Sequence, residues 1–162
     1  MPDMLVKLYE LPLIDGLVQT YAERGITLRR AIAPEKHAVV LWVRDVFGWA
    51  WSDECEVSFS REPVSCFVAQ TQKEGIVGFA CYDATTKDFF GPTGVHPDQR
   101  SQGIGKALLL LALHAMAAAG YGDAIIGGAG PIDFYAKAVG ATVIEGSVPG
   151  IYRHMLRSGP SA

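Results

Sequence analysis

The chain has 162 residues, 49% of them hydrophobic and 19% charged, with 18 glycines, 9 prolines and a formal net charge of -3. That length fits one domain able to bury roughly 68–70% of its unfolded-chain surface, so no disulfide or metal staple is needed, and high apolar content with low net charge excludes a disordered chain. Fourteen basic residues against 17 acidic ones, with no basic run longer than Arg29-Arg30, argue against a broad nucleic-acid-binding face.

Residues 1–25 read as an N-terminal helical extension: Pro12 to Ala22 carries apolar residues at helical spacing, and Gly25 is a stop. Ile26 to Ile32 alternates as a half-buried strand does. Ala33-Pro34-Glu35-Lys36 starts a helix running to about Phe47. A second helix covers part of Ser52 to Ser60, with Ser52 as N-cap. Three strands follow, Val64–Gln70, Ile76–Tyr82 and Phe89–Val95. Gly91-Pro92 inside the last demands a bulge or a sheet edge. A long helix spans Gly103 to Ala119 and ends at Gly120. Ala124 to Ile126 is a strand, Ile132 to Val139 a helix closed by Gly140, and Thr142–Glu145 and Ile151–Leu156 are final strands. Residues 158–162 form a tail.

Short, turn-linked strands pair antiparallel, whereas the strands before and after the long helix pair parallel through that crossover. The fold class is α/β (α+β): a mixed, mainly antiparallel central sheet of about six to seven strands with helices on both faces, built from residues 26–157. Met1 to Met4 lacks a basic region leading into an apolar stretch. The most apolar segment, Ala107 to Ala119, is shorter than the roughly 20 residues that cross a bilayer. A cytoplasmic protein without a membrane partner is expected. Cys55, Cys66 and Cys81 are too few for a disulfide framework and read as reduced thiols packed in the core.

The chemistry concentrates in Val95-His96-Pro97 and Arg100-Ser101-Gln102-Gly103-Ile104-Gly105-Lys106-Ala107. A strand ends, Pro97 stops it, and two glycines open a helix. Glycines let a ligand approach the backbone, and the first helical amides have no intrahelical acceptor. Together with the helix dipole they make an anion site suited to a diphosphate, flanked by Arg100 and Lys106. A P-loop fails here, since Arg100 stands where its first Gly belongs and Ala107 where Ser or Thr belongs. A dinucleotide fingerprint fails because Leu108 replaces its third Gly. A plain strand-to-helix turn that binds nothing stays open.

The pattern Val-x-Pro followed by Arg-x-x-Gly-x-Gly resembles the GNAT superfamily of acyl-CoA-dependent N-acyltransferases, and the element order from Ile26 to Leu156 is similar to that family's. The resemblance implies a splayed central strand pair, Phe89–Val95 against Ala124–Gly127, whose gap takes the pantetheine arm of acetyl-CoA. Backbone groups of Val95 would pair with pantetheine, the amide of Thr93 would polarise the thioester carbonyl, and amides of Gln102 to Ala107 would hold the diphosphate. Phe134-Tyr135-Ala136-Lys137-Ala138-Val139-Gly140-Ala141 resembles the family's Phe-Tyr-x-Lys-x-x-Gly-Phe segment, which makes Tyr135 the candidate acid for the leaving thiolate. A tyrosine that only packs its ring is the other reading.

Two positions depart from the family. Its usual general-base Glu is Phe89 here, and a frequent Asn is Gly128, within Gly127-Gly128-Ala129-Gly130-Pro131, read as a flexible loop. No base is therefore identified. His96 reads as a surface residue and His114 as a satisfied core histidine. The four His and three Cys show no metal-ligand spacing, so no metal is expected. Trp42, Phe47, Trp49 and Trp51 are core packing or an aromatic acceptor wall. The implied activity is acetyl transfer from acetyl-CoA to a primary amine, on a small molecule or a peptide. A non-catalytic acyl-CoA-binding module is the alternative, and self-association into a homodimer stays open.

Overall fold

A computed structural model describes residues 1–157; the tail at 158–162 lies outside the described residues. One mixed sheet of seven strands carries the chain. Its strands are β1 (Met4–Lys7), β2 (Thr27–Arg30), β3 (Cys66–Thr71), β4 (Gly75–Tyr82), β5 (Phe89–Val95), β6 (Asp123–Ile126) and β7 (Thr142–Val143), in the spatial order β2-β3-β4-β5-β6-β1-β7. Every pairing is antiparallel except β5 with β6. The parallel pair flanks the long helix, as a helical crossover requires.

Helices cover both faces: α1 (Leu17–Glu23), α2 (Lys36–Phe47), α3 (Trp49–Ser58), α4 (Ile104–Ala118) and α5 (Ile132–Val139). Strand alternation sorts the core in two. Phe67, Ala69, Ala80 and Tyr82 face α4, whose Leu108, Leu109, Leu113 and Met116 are fully buried, and α5 adds Tyr135 and Val139 to that layer. Cys66, Val68, Phe79 and Cys81 face the other way, against Val39 and Val43 of α2 and Cys55 of α3. At about 25 cal/mol per Å2 of apolar area, each fully buried Leu or Val stabilises the fold by roughly 1.5–3 kcal/mol.

The predicted bulge falls where Gly91-Pro92 sits. Thr93 pairs with Ala80 and Phe90 with Tyr82, so Gly91 and Pro92 together oppose Cys81 alone, and β5 remains an interior strand.

Three sequence expectations need correcting. The segment 1–25 is not helical throughout: α1 begins only at Leu17, and Met4–Lys7 is a strand held between β6 and β7. Met4 and Val6 point into the core while Lys7 is exposed. A period of two over four residues is too short to read before its partners, some 120 residues downstream, are in place. Ile151–Leu156 is not a strand. Gly150–Tyr152 makes a short 3-10 helix, and Ile151, Met155 and Leu156 are exposed. β6 is already paired on both sides, by β5 and β1, and positive φ at Gly150 and His154 turns the chain away. Finally, α3 starts at Trp49 after Gly48, so Ser52 is inside the helix, its hydroxyl donating to the Trp49 carbonyl. His114 is only partly buried; its Nε2 donates to the Pro12 carbonyl at 2.7 Å.

Candidate active site

The parallel pair β5–β6 is joined only at Phe89–Ile125 and Phe90–Ile126. Beyond Phe90 the strands part. His96 donates its amide to the Val77 carbonyl of β4 at 2.8 Å, so by alternation the amides of Val95 and Thr93 point away from β4, toward β6. With no ladder there, both donors face the gap. The Thr93 hydroxyl is not free, since it donates to the Phe79 carbonyl at 3.0 Å.

At the upper end of β5 the chain passes a short 3-10 helix (Pro97–Gln99) and turns into α4. Ser101 and Gly103 adopt positive φ, 69° and 80°. The first helix-closing bond is that of Ala107, whose amide donates to the Gly103 carbonyl at 3.0 Å. Ala107 therefore has no free amide. Those of Gln102, Gly103, Ile104, Gly105 and Lys106 have no acceptor among the described residues, and no side chain caps the helix. Free donors at a helix start with the dipole behind them are an anion cradle.

The carbonyl side of this turn is held from α1. The Tyr21 hydroxyl donates to the Gly103 oxygen at 2.8 Å and an Arg24 guanidinium nitrogen donates to the Gln102 oxygen at 2.9 Å. Arg24 also lies over the Tyr21 ring, 4.6 Å from its centroid. A side chain at Gly103 would put its Cβ 2.5 Å from the Tyr21 oxygen, so only glycine fits the contact. Lys106 is exposed and unpaired among the described residues. Arg100 is exposed too, but its Nε donates to the Val95 carbonyl at 3.2 Å. No phosphate-ready fork is formed.

Tyr135 sits where the strands begin to part. Its ring meets Phe90 edge-on, centroids 6.4 Å apart, and Phe134 at 5.2 Å. Burial pushes its hydroxyl up to about 12, because the phenolate would be formed away from water. The glycine loop after β6 is tied to the N-terminal segment at one amide. The Gly128 amide donates to the buried Asp3 carboxylate at 2.7 Å.

The aromatic group splits. Trp42, Phe47 and Trp51 gather around the buried Phe79, the Phe47 ring 5.7 Å from it, whereas Trp49 lies outside under Arg44. Phe47 rests on β5 at Gly94.

Two features were invisible in the sequence. Glu54 of α3 is half-buried and accepts from the Thr85 hydroxyl at 2.5 Å. Burial raises its proton affinity above the ordinary carboxyl value, Asp53 adds to this, and the Thr85 hydrogen bond opposes it. The second is the thiol trio. All three cysteines converge, their sulfurs within 4.8 Å of one another and fully buried. Burial and the neighbouring thiols hold Cys81 well up, and the Cys55 hydrogen bond does so for Cys66. Among the described residues this is the one grouping with enough ligand atoms for a metal. Linear spacing hides it because the three lie on α3, β3 and β4.

A model described as the acetyltransferase (GNAT) family matches residues 36–141. Among solved structures, the GCN5-related glucosamine N-acetyltransferase region of a fungal multi-domain GH3 β-N-acetylglucosaminidase superposes with a TM-score of 0.70 at 13% identity, over 88% of this chain and 19% of that one. A GCN5-related N-acetyltransferase from Sphaerobacter thermophilus gives 0.62 at 20% identity, over 88% and 48%. One from Kribbella flavida gives 0.57 at 21%, over 88% and 53%. These likenesses show a shared fold, and the chain spans between a fifth and about half of those chains. No curated protein matches the sequence.

Proposed function

The chain belongs to the GNAT family of acetyltransferases, and on that premise we propose that it moves an acetyl group from acetyl-CoA to a primary amine by direct attack in a ternary complex. The observation that carries the reading is the row of acceptor-free amides from Gln102 to Lys106, set above two further free amides on Val95 and Thr93. That spacing of donors along one gap suits an extended ligand with a diphosphate at one end and amides along its arm.

In this reading the diphosphate sits on the glycine turn with Lys106 beside it, and Ser101 lines the approach. Pantetheine lies along the free edge of β5. The Thr93 amide donates to the thioester oxygen and strengthens its hold as charge develops there. Tyr135 stays protonated at any working pH, so its hydroxyl acts as a donor to the departing sulfur and not as a base. Holding amine and thioester in attack geometry supplies part of the roughly 7–11 kcal/mol that effective molarity offers.

The experiment measures two quantities on the purified chain: acetyl-CoA binding by calorimetry, and thiol release with a panel of amines. Binding with amine-dependent release supports transfer. Binding without release for any amine overturns it in favour of a non-catalytic acyl-CoA module, and absence of binding leaves the glycine turn as a structural connection. Tyr135→Phe is expected to cut turnover while leaving acetyl-CoA affinity within twofold; equal loss of both would remove Tyr135 from the mechanism.

A further inference from the structure

We propose that the groove between α3 and the Gly150–Met155 segment holds the acceptor, that the acceptor is a cationic amine on an apolar body, and that Glu54 takes the ammonium proton. This rests on the acetyl-transfer reading above. The groove has a volume of about 400 Å3, room for a small amine. Val57, Ala84, Ile151 and Met155 give it an apolar lining.

Its position ties it to the reacting centre. The Tyr152 hydroxyl, on the groove wall, lies 2.9 Å from where a Cβ on Gly127 would stand, and the Phe89 ring packs against that same glycine. Gly127 directly follows Ile126, the last β6 residue paired with β5. The groove thus adjoins, on the α3 face of the sheet, the gap where the two strands separate, and Tyr135 packs on Phe90 across the sheet from it.

Its charge selects the ligand. Asp53 and Glu54 are the acidic residues on the lining, and no Lys, Arg or His is among them. Glu54 has no ion pair among the described residues; the only side chain bonded to it is Thr85. A half-buried carboxylate without a cation attracts one. The groups facing it are Asp53 on its own helix and Tyr152 opposite. The Tyr152 hydroxyl is held above its ordinary value by burial, by Glu54 and by Asp3.

The proton balance closes. The ammonium gives one proton to the Glu54 carboxylate, which passes it to water. The freed lone pair forms the C–N bond and the thioester π pair moves to oxygen. The oxygen pair then returns to re-form the C=O bond as the C–S bond breaks with its electron pair on sulfur; Tyr135 gives its hydroxyl proton to that sulfur and takes the second nitrogen proton in return.

The test compares phenethylamine with phenylalanine as acceptors in the wild type, Glu54→Gln and Thr85→Val, with acetyl-CoA affinity measured on each. The wild type is expected to favour phenethylamine at least tenfold in kcat/KM, because the acidic groove repels the carboxylate of phenylalanine. Glu54→Gln is expected to lose about 100-fold or more, the low end of general-base contributions, with acetyl-CoA affinity within twofold. Thr85→Val removes the hydrogen bond that holds the Glu54 carboxyl down, so the acidic limb of the pH profile moves to higher pH; this decides the matter if Glu54→Gln does not fold. Wild-type turnover that survives in Glu54→Gln, an unmoved limb in Thr85→Val, or equal use of the two acceptors overturns this inference alone. A wild type that acetylates no amine overturns the transfer reading and this inference with it.

Discussion

The Tyr21 hydroxyl donates to the Gly103 carbonyl at 2.8 Å, linking the N-terminal helix to the turn whose amides face outward. The same carbonyl accepts from Ala107. Two donors on one oxygen fix the peptide plane, and with it the direction of the neighbouring amides. Residues 17–24 therefore help shape the anion cradle. Tyr21→Phe is expected to weaken acetyl-CoA binding about fivefold, close to the roughly 1 kcal/mol of one net hydrogen bond, with little change in melting temperature. Calorimetry checks this. An unchanged affinity would mean that the glycine turn keeps its shape without α1.

Gly94 is where the aromatic cluster meets the site. A Cβ there would stand 2.5 Å from Phe47 Cζ, and that ring is boxed in by Trp42, Trp51 and Phe79. Gly94→Ala is expected to destabilise the fold by roughly 1–3 kcal/mol, the usual cost of overpacking. Denaturant unfolding measures it. Adding Phe47→Leu should restore part of the loss, because the two changes share one contact and cannot act independently.

The three cysteines give a chemical readout of the core. Each is fully buried beneath α3, so an aromatic disulfide reagent cannot reach them in the folded chain. Modification is expected to follow the opening of the structure and to accelerate with denaturant. Burial holds the Cys81 thiol up and the Cys55 hydrogen bond holds Cys66 up, while hydrogen bonds with those two thiols draw Cys55 down to about 5, so above the ordinary thiol value folding still favours the protonated forms of Cys66 and Cys81. The unfolded chain loses those protons first as pH rises past the ordinary thiol value. Stability should then fall above about pH 9. Fast stoichiometric labelling of the native protein would show that this packing is wrong.

How much of this was legible beforehand depends on the range over which each signal acts. The glycine turn is local: Pro97, Gly103, Gly105 and the apolar run after them lie within twenty residues, and their arrangement follows from that order alone. The splay of β5 from β6 was reached through resemblance, and its register comes only with the structure. Met4–Lys7 is a strand because β6 and β7 flank it, which four residues cannot announce. Glu54 is the sharpest case. Its surroundings are Thr85, 31 residues on, and Tyr152 in a segment that reads as a strand but turns instead. A carboxylate on a weakly patterned helix looks like any solvated acid until the fold buries it. The cysteine trio escaped for the same reason, three positions on three elements.

Arg100 presents two competing roles that one variant separates. Its Nε now donates to the Val95 carbonyl at 3.2 Å, the backbone group assigned to pantetheine, while the diphosphate needs a cation a few residues further on. If acetyl-CoA binds as proposed, Arg100 turns from Val95 to the phosphates, so its charge assists binding and its present contact opposes it. Arg100→Ala is therefore expected to weaken acetyl-CoA about tenfold, below the full value of a charge-assisted pair because the site is exposed and screened. The same change should leave acetyl-pantetheine, which lacks the diphosphate, bound as well as before or slightly better. Raising the salt concentration should narrow the gap between wild type and variant for acetyl-CoA only. Parallel losses for both ligands would place Arg100 on the arm of the cofactor, and the diphosphate would then depend on Lys106 and the amides without it.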